Sequence, residues 1–298
     1  GERTGRWGVA PRMFLCGAER DEMLQEYRMG PRIGRGRFGV VRTCYHIRTG
    51  RPFAVKVVDK GSLPRELWHT LETEVEVLHR LDHPGIVRLV DVFDGHDELK
   101  IVMELCTGGE VHDRLLHRGP FPEPRAAEVV AQVAHALAHL RDRGVVHRDV
   151  KPENLVYVDE REDAPVRLTD FGLATYAGSL APTRAAAATP AYAAPELLVA
   201  AEDPCGPEAD VWSLGATAYA LLCGRPPFGE TGAWETGARV LAGRVAYEER
   251  AWRRVSDGAR QLLDRMLVAD PESRLTPEEI LRHPWVLLNT KTSAQMVV

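Results

Sequence analysis

Short apolar runs separated by glycines occupy the segment from Arg28 to Lys60. These runs are too short for helices, so the pattern predicts three antiparallel strands. A charged helical stretch follows from about Pro64 to Arg80, and two β-rich pieces come next, at 86–93 and 99–105. The first third of the chain is therefore predicted to be a small, mainly antiparallel β unit with one helix.

Helical spacing dominates the rest of the chain. From Glu123 to Arg143 apolar side chains recur at intervals of three and four residues, which places them on one face of a helix. Gly/Pro-rich turns separate further predicted helices near 208–223, 234–242, 256–268 and 277–282. The pattern predicts a second, larger and mainly helical unit.

Composition and charge narrow the class of protein. The chain has 298 residues, of which 44% are hydrophobic and 27% charged, and no apolar run approaches the roughly 18 residues of a membrane span. A formal net charge of -5 argues against nucleic acid as a partner. The five cysteines are widely spaced without a Cys-x-x-Cys pair, so neither a zinc site nor a disulfide framework is expected. No signal-peptide pattern opens the chain, and we expect a cytoplasmic or nuclear location.

A glycine-rich segment joins the first two predicted strands. Residues 33–41 read IGRGRFGVV, and glycines let backbone N–H groups approach phosphate oxygens closely. The pattern alone fits a glycine-rich hairpin equally well. Lys56, fifteen residues after Val41, would place a compact ammonium under this loop, although a surface strand lysine is the alternative.

The helix that follows supplies a candidate partner for Lys56. Glu74 is the residue expected to pair with it, and Glu72 and Glu76 are alternatives. A single glutamate on a helix is usually a solvated charge, so this hypothesis depends on Lys56.

The most specific pattern lies near the middle of the chain. Residues 147–154 read HRDVKPEN, and Asp170-Phe-Gly begins sixteen residues after Asn154. This order sets three oxygen acceptors and the cation of Lys151 around one small volume, as phosphoryl transfer requires.

These motifs, with APE at 194–196 and DVWSLG at 210–215, resemble the eukaryotic protein kinase family of the serine/threonine type. The match extends over residues 27–285. It implies an α+β, two-lobe kinase fold with a small, mainly antiparallel β lobe that carries one key helix and a larger, mainly helical lobe. The corresponding divisions are an N-terminal extension, two lobes and a tail, at 1–26, 27–104, 105–286 and 287–298.

The resemblance implies roles for individual side chains. Asp149 would accept or orient the proton of the substrate hydroxyl, and Lys151 would steady the migrating phosphoryl group. Asn154 and Asp170 would hold Mg²⁺. Lys151 two residues after Asp149, together with Thr189, is typical of the serine/threonine branch.

ATP and Mg²⁺ are the implied cofactors. Met103 and the residues 104–106 resemble the gatekeeper and the adenine-binding hinge, and Val41 and Ala54 would cover the base. The full set expected to bind ATP is Ile33, Gly34, Gly36, Gly39, Val41, Ala54, Lys56, Met103, Glu104, Cys106, Glu110 and Glu153. The buried ion pair of Glu196 and Arg274 and the carboxylate of Asp210 would be structural.

Within the family, the segments 83–93, 101–115 and 281–286 resemble the calcium/calmodulin-dependent group, including plant calcium-dependent kinases and phosphoenolpyruvate carboxylase kinases. By that resemblance Glu110 and Glu153 would meet an arginine two or three residues before the acceptor. Glu110 could instead contact the ATP ribose.

Regulation is where the sequence departs from these relatives. It contains no D-x-[DN]-x-[DN]-G-x₅-E calcium loop. Phosphorylation of Thr183 or Ser179 would order the activation segment, although the alanines at 185–188 make a loop that needs no phosphate equally plausible. We expect a monomer with ATP and a protein substrate as partners. A kinase-fold scaffold, or pseudokinase, is the alternative function.

Overall fold

The structure is a computed structural model that describes residues 23–36, 38–64, 67–179, 190–199, 205–229, 232–247 and 252–295. The chain divides into two compact units. The first comprises Gly1–Asp82 and Val87–Cys106, and the second comprises His83–Ile86 and Thr107–Val298.

The first unit is an antiparallel sheet with a helix packed against it. The strand order is β1-β2-β3-β5-β4, and the three strands predicted between Arg28 and Lys60 are confirmed. The helix predicted from about Pro64 is described from Trp68. The elements are α1 (Met23–Glu26), β1 (Tyr27–Gly36), β2 (Gly39–His46), β3 (Pro52–Asp59), α2 (Trp68–Arg80), β4 (Leu89–Asp94) and β5 (Glu98–Glu104).

The two faces of this sheet carry separate apolar clusters. Tyr27, Cys44 and Phe53 pack together on one face. On the other face Val58 and Ile101 pack with other apolar residues of the sheet and α2. Because side chains alternate along a strand, both faces of β3 are covered, which explains its nearly continuous apolar sequence.

The second unit is mainly helical, as predicted. Its helices are α3 (Val111–Arg118), α4 (Glu123–Asp142), α5 (Pro195–Val199), α6 (Glu208–Cys223), α7 (Ala233–Ala242), α8 (Asp257–Met266), α9 (Pro277–Arg282) and α10 (Pro284–Gln295). Its strands are β6 (Val145–Val146), β7 (Leu155–Tyr157), β8 (Val166–Leu168) and β9 (Thr175–Tyr176), and two 3₁₀ segments lie at Pro152–Asn154 and Pro271–Ser273.

Helix α6 forms the centre of the second unit. Every residue of this helix except Glu208 and Cys223 is buried, as expected for a helix that is apolar on all sides. A Cβ at Gly215 would lie 3.0 Å from Met266 Cβ, so glycine allows α8 to approach closely. Helix α6 therefore gives the residues at its N-terminal end a rigid support.

Several elements differ from the sequence-based prediction. The strand expected at 86–93 begins at Leu89, because Ile86 instead forms a bridge with Leu168 in the second unit. Helix α3 was not predicted. Helix α10 extends to Gln295, where the sequence indicated only a tail, and it packs against α4. None of the helices in the described ranges is both long and apolar enough to cross a membrane.

Gly108 offers a test of the packing where the second unit begins. Its N–H donates to Tyr157 O at 3.0 Å, and a Cβ there would lie 1.9 Å from Asp159 O. Because backbone must move to relieve this overlap, we expect Gly108→Ala to lower the free energy of unfolding by about 1 to 3 kcal/mol in urea titrations. Gly237→Ala is the matched control, since the nearest atom to its Cβ is Leu198 Cδ1 at 3.9 Å. Equal losses in both variants would contradict this explanation.

Candidate active site

The glycine-rich segment of the first unit lies close to β3. Gly36 and Gly39 face each other where β1 and β2 meet. A Cβ at Gly39 would lie 2.0 Å from Val57 O, and one at Gly36 would lie 3.4 Å from Lys56 Cε. Gly34 has ordinary space around it, with its nearest neighbour 3.9 Å away. Glycine at 36 therefore brings bare backbone next to the Lys56 side chain, and glycine at 39 lets β2 lie close to the backbone of β3.

Lys56 and Glu74 form a buried ion pair. Lys56 Nζ lies 2.6 Å from Glu74 Oε1, and the two side chains are only 5% and 3% exposed. The two alternatives left open by the sequence, Glu72 and Glu76, are both more exposed than Glu74, and Glu76 pairs with Arg80 instead. Desolvating two charges is costly, so a pair retained in this position indicates a use for the ammonium group.

Most of the other residues expected to bind adenine lie on strands of the first unit. Ala54 is opposite Met103 in the ladder between β3 and β5. Ile33 is 50% exposed on β1. Glu104 already donates its N–H to Arg88 O, so that group is not available to a base. Cys106 is the last residue of the first unit and is partly buried.

In the second unit, Asp149 is held by two side chains of the HRDVKPEN motif. Lys151 Nζ donates to both carboxylate oxygens of Asp149, at 2.9 and 2.8 Å. Asn154 Nδ2 donates to Asp149 Oδ2 at 2.8 Å and to Asp149 O at 2.7 Å. The structure thus brings two of the predicted residues to the carboxylate of a third, and the Asp149 side chain is 11% exposed.

A side chain of α6 fixes the backbone that precedes Asp149. Asp210, which is fully buried, accepts hydrogen bonds from the backbone N–H groups of His147 and Arg148, at 2.7 and 2.8 Å. Burial raises the pKa of Asp210, although His147 and these hydrogen bonds act in the opposite direction. Arg148 has a φ of 66°, a left-handed conformation that is costly for arginine and is stabilised here by Asp210.

The segment that carries Asp170 is bonded to the one that carries Asn154. Thr169 N donates to Asn154 O at 2.9 Å, and His147 Nε2 lies 3.0 Å from Thr169 O. Asp170 also has a left-handed backbone, with a φ of 57°. Left-handed residues other than glycine are concentrated at functional sites.

Asn154 and Asp170 have the chemistry of a magnesium site. The Asn154 amide nitrogen is committed to Asp149, so its oxygen is the atom left to act as a ligand. An amide oxygen and a carboxylate are the hard ligands that Mg²⁺ prefers. Among the described residues, no group of three or more His, Cys, Asp and Glu side chains forms a metal cage. The residues fit a metal held by few protein ligands and by phosphate oxygens.

Acidic side chains gather near the N-terminus of α3. Burial raises the pKa of Glu110, and the charges of Asp113 and Glu153 raise it further, whereas His112 and Lys151 oppose the shift. Glu153 therefore lies near enough for its charge to act on Glu110. Asp113 and His112 were missed, because the short helix that carries them was not predicted; their position directly after Glu110 was the available signal.

Glu196 and Arg274 form a bidentate ion pair. Arg274 Nη1 and Nη2 donate to the two carboxylate oxygens of Glu196 at 2.6 and 2.7 Å, and the arginine side chain is fully buried. Its other N–H groups donate to the backbone oxygens of Val268, Glu208 and Ala269. All five N–H donors of Arg274 are thus hydrogen-bonded within the fold, as expected of a side chain that stabilises it. Thr183 and Thr189 lie outside the described residues.

Comparisons with known proteins agree with this geometry. The family model described as "Protein kinase domain" matches residues 27–286. Calcium/calmodulin-dependent protein kinase type IV of Homo sapiens is 37% identical over 283 residues, which are 95% of this chain and 59% of that protein.

Two further relatives have similar names. Calcium/calmodulin-dependent protein kinase type 1 of Caenorhabditis elegans is 40% identical over 81% of this chain and 68% of its own length. Calcium-dependent protein kinase 14 of Oryza sativa subsp. japonica is 36% identical over 93% of this chain and 53% of its own. The predicted resemblance to this group is confirmed. The chain spans less than two thirds of the length of several of these relatives.

The raised pKa of Glu110 makes a prediction about stability. Because folding raises the pKa, the charged form is unfavourable in the folded state, and stability is gained as pH falls through that pKa. We therefore expect Glu110→Gln to raise the melting temperature at neutral pH and to lose this advantage near about pH 4.5.

Glu278→Gln is the control for Glu110→Gln. Burial raises the pKa of Glu278, but hydrogen bonds from the backbone and Thr276 and the charge of Arg141 lower it overall. We therefore expect the opposite sign, a loss of stability at neutral pH. Destabilisation by Glu110→Gln at neutral pH would contradict the argument.

Proposed function

Because the chain belongs to the protein kinase family, we propose that it transfers the γ-phosphoryl group of ATP to serine or threonine hydroxyls of protein substrates. The observation that carries this proposal is the Asp149 carboxylate held between Lys151 and Asn154. Lys151, two residues after Asp149 in the sequence motif, supports the serine/threonine assignment.

Asp149 is the group that would receive the proton of the substrate hydroxyl. Its orientation is set by three hydrogen bonds from Lys151 and Asn154, so the carboxylate is positioned before a substrate arrives. Lys151 would remain close to the phosphoryl group as it moves, because its ammonium lies beside the carboxylate that the hydroxyl approaches. Positioning and charge neutralisation supply most of the rate enhancement in phosphoryl transfer.

Asn154 Oδ1 and the Asp170 carboxylate would hold Mg²⁺ in this scheme. When bound, the metal would act as a Lewis acid that stabilises negative charge on the transferred phosphoryl group. The left-handed backbone of Asp170 and the hydrogen bond from Thr169 to Asn154 would set the directions of these two ligands.

The first unit would bind the nucleotide. The Lys56 ammonium, oriented by Glu74, would contact phosphate oxygens beside the backbone of Gly36. Val41, Ala54 and Met103 would cover the base, and the hinge would read its edge through backbone groups other than the Glu104 N–H. Support comes from the buried ion pair and from the close approach of the glycines to β3.

We further propose that the preferred substrates carry an arginine two or three residues before the acceptor. Burial and the negative charges of Asp113 and Glu153 all raise the pKa of Glu110. A nearby cation would therefore stabilise the charged form of these carboxylates. A guanidinium can donate to two carboxylates at once. If Glu110 instead serves the ATP ribose, its removal would change the KM for ATP and leave the KM for the peptide as it was.

Partners and location complete the proposal. The relatives are named for calcium and calmodulin dependence. This sequence contains no EF-hand loop, so we propose that transfer by these residues needs no calcium. A monomer acting on proteins in the cytoplasm or nucleus, with no nucleic acid partner, is consistent with the net charge of -5.

The direct test is phosphoryl transfer from Mg-ATP to a serine peptide with arginine at minus three, in the presence of a calcium chelator. We expect transfer by the unaltered chain and a loss in kcat of about 10² to 10⁴ in Asp149→Asn, because the amide cannot accept the hydroxyl proton. ATP binding by that variant should be unchanged.

Two comparisons complete this experiment. The same peptide with alanine at minus three should be used about tenfold less efficiently, as for a lost charge pair at a partly exposed contact. Asp264→Asn, at an exposed site on α8, is the matched control and should retain full transfer. ATP binding without transfer to either peptide would support the scaffold alternative.

A further inference from the structure

One serine of this chain has the sequence context that the proposed substrate preference describes. Arg253 and Arg254 precede Ser256 by three and two residues in the run RRVS. Ser256 is the only serine or threonine of the sequence with an arginine three residues before it. Thr169 and Thr276 have an arginine two residues before them, but none at three. The chain therefore contains a single acceptor that carries both of the preferred basic residues.

The structure leaves Ser256 and both of its arginines exposed, in the turn that leads into α8. The two threonines with arginine at minus two are presented differently. Thr276 follows Arg274, whose side chain is fully buried. Thr169 is partly buried, and its N–H donates to Asn154 O. Of the three acceptors, only Ser256 lies where another protein molecule can reach both the hydroxyl and the basic residues.

Ser256 also connects α8 to the start of α4. Ser256 N and Oγ each donate to a different carboxylate oxygen of Glu123, both at 2.7 Å. Ser256 Oγ in turn accepts from Ala259 N at 3.2 Å, as the N-cap of α8. Glu123 Oε2 accepts a further hydrogen bond from Trp285 Nε1 of α10. The serine hydroxyl is therefore part of a junction between α4, α8 and α10.

We propose that Ser256 is a phosphorylation site for a second copy of this chain, and that the phosphate releases Ser256 from Glu123. This inference rests on the proposed kinase function and on its preference for arginine. In the transfer, the γ-phosphorus of ATP forms a bond to Ser256 Oγ as its bond to the bridging oxygen breaks, and ADP leaves. The hydroxyl proton passes to Asp149 of the second copy. Because Trp252 and Ala259 on either side are buried, the segment stays at the surface of its own chain, where a second molecule meets it.

The charges at the junction determine what the phosphate does there. Phosphorylation removes the proton that Ser256 Oγ donates to Glu123, and it adds a charge of about -1.5 to -2 at neutral pH. Since the hydroxyl is in direct contact with the carboxylate, the phosphate and Glu123 repel each other at short range. The N-terminus of α8 attracts the phosphate, but this attraction is kept when Ser256 moves away from α4. The phosphate therefore breaks the contact with Glu123 and leaves α8 capped.

Glu123 also limits how readily Ser256 is phosphorylated. An acceptor must give up its own hydrogen bonds to enter an active site, and Glu123 holds both the N–H and the hydroxyl of Ser256. In Glu123→Gln one of the two accepting positions becomes a donor. We therefore expect this substitution to speed phosphorylation of Ser256 about tenfold, as for the loss of one hydrogen bond to a charged group.

The experiment uses the Asp149→Asn chain as a tagged acceptor, because it cannot phosphorylate itself, and a small amount of the unaltered chain as the kinase. With Mg-ATP and a calcium chelator, we expect mass spectrometry to find phosphate on Ser256 of the acceptor. Replacing both Arg253 and Arg254 by glutamine in the acceptor should slow this transfer about tenfold. Arg265→Gln, at an exposed arginine of α8, is the matched control and should leave the rate unchanged.

The outcomes separate this inference from the proposed function. Transfer to the serine peptide with arginine at minus three, but none to Ser256 of the acceptor, overturns the inference and leaves the function standing. Transfer to neither overturns both. Phosphorylation of Ser256 that is equally fast without the two arginines contradicts recognition through them.

Melting temperatures test the effect of the phosphate on the junction. The acceptor phosphorylated at Ser256 should melt about 2 to 4 °C below the unmodified acceptor, because the contact between α4 and α8 is lost. Equal melting temperatures would show that Ser256 stays bonded to Glu123, against the proposal.

Discussion

The buried carboxylate of Asp210 is the interaction on which the geometry of the second unit depends. It receives the backbone N–H groups of His147 and Arg148, and it lies in the first turn of α6, where the helix dipole favours a negative charge. These bonds hold Arg148 in a conformation that its side chain disfavours, and they set where Asp149 begins. Because α6 is buried almost throughout, this anchor cannot shift easily.

Much of this arrangement could be predicted from the sequence, because it follows from the spacing of motif residues and apolar residues along the chain. The HRDVKPEN motif identified Lys151 and Asn154, whose side chains contact Asp149. The sequence also predicted helix α6, near 208–223, although not its central position in the second unit. The choice of Glu74 was also encoded: it follows Leu71 by three residues and precedes Leu78 by four, so it lies on the buried face of α2.

Other features were beyond the sequence pattern for physical reasons. Helix α3 has eight residues and only two buried side chains, Val111 and Leu115, so its periodicity is too brief to recognise. The strands β6 to β9 have two or three residues each and exist through their pairing partners. Helix α10 depends on α4: Trp285 Nε1 donates to Glu123, at the start of that helix. The left-handed backbones of Arg148 and Asp170 are likewise consequences of tertiary contacts.

The most direct test of this account is the kcat of Asp210→Asn for peptide phosphorylation, measured together with its ATP affinity. An amide can accept from only one of the two backbone N–H groups and turns a donor toward the other, which leaves a buried donor unsatisfied at a cost of about 1 to 3 kcal/mol. We expect kcat to fall by at least about tenfold while ATP affinity and the circular dichroism spectrum are retained. An unchanged kcat would contradict the claim that Asp210 positions Asp149.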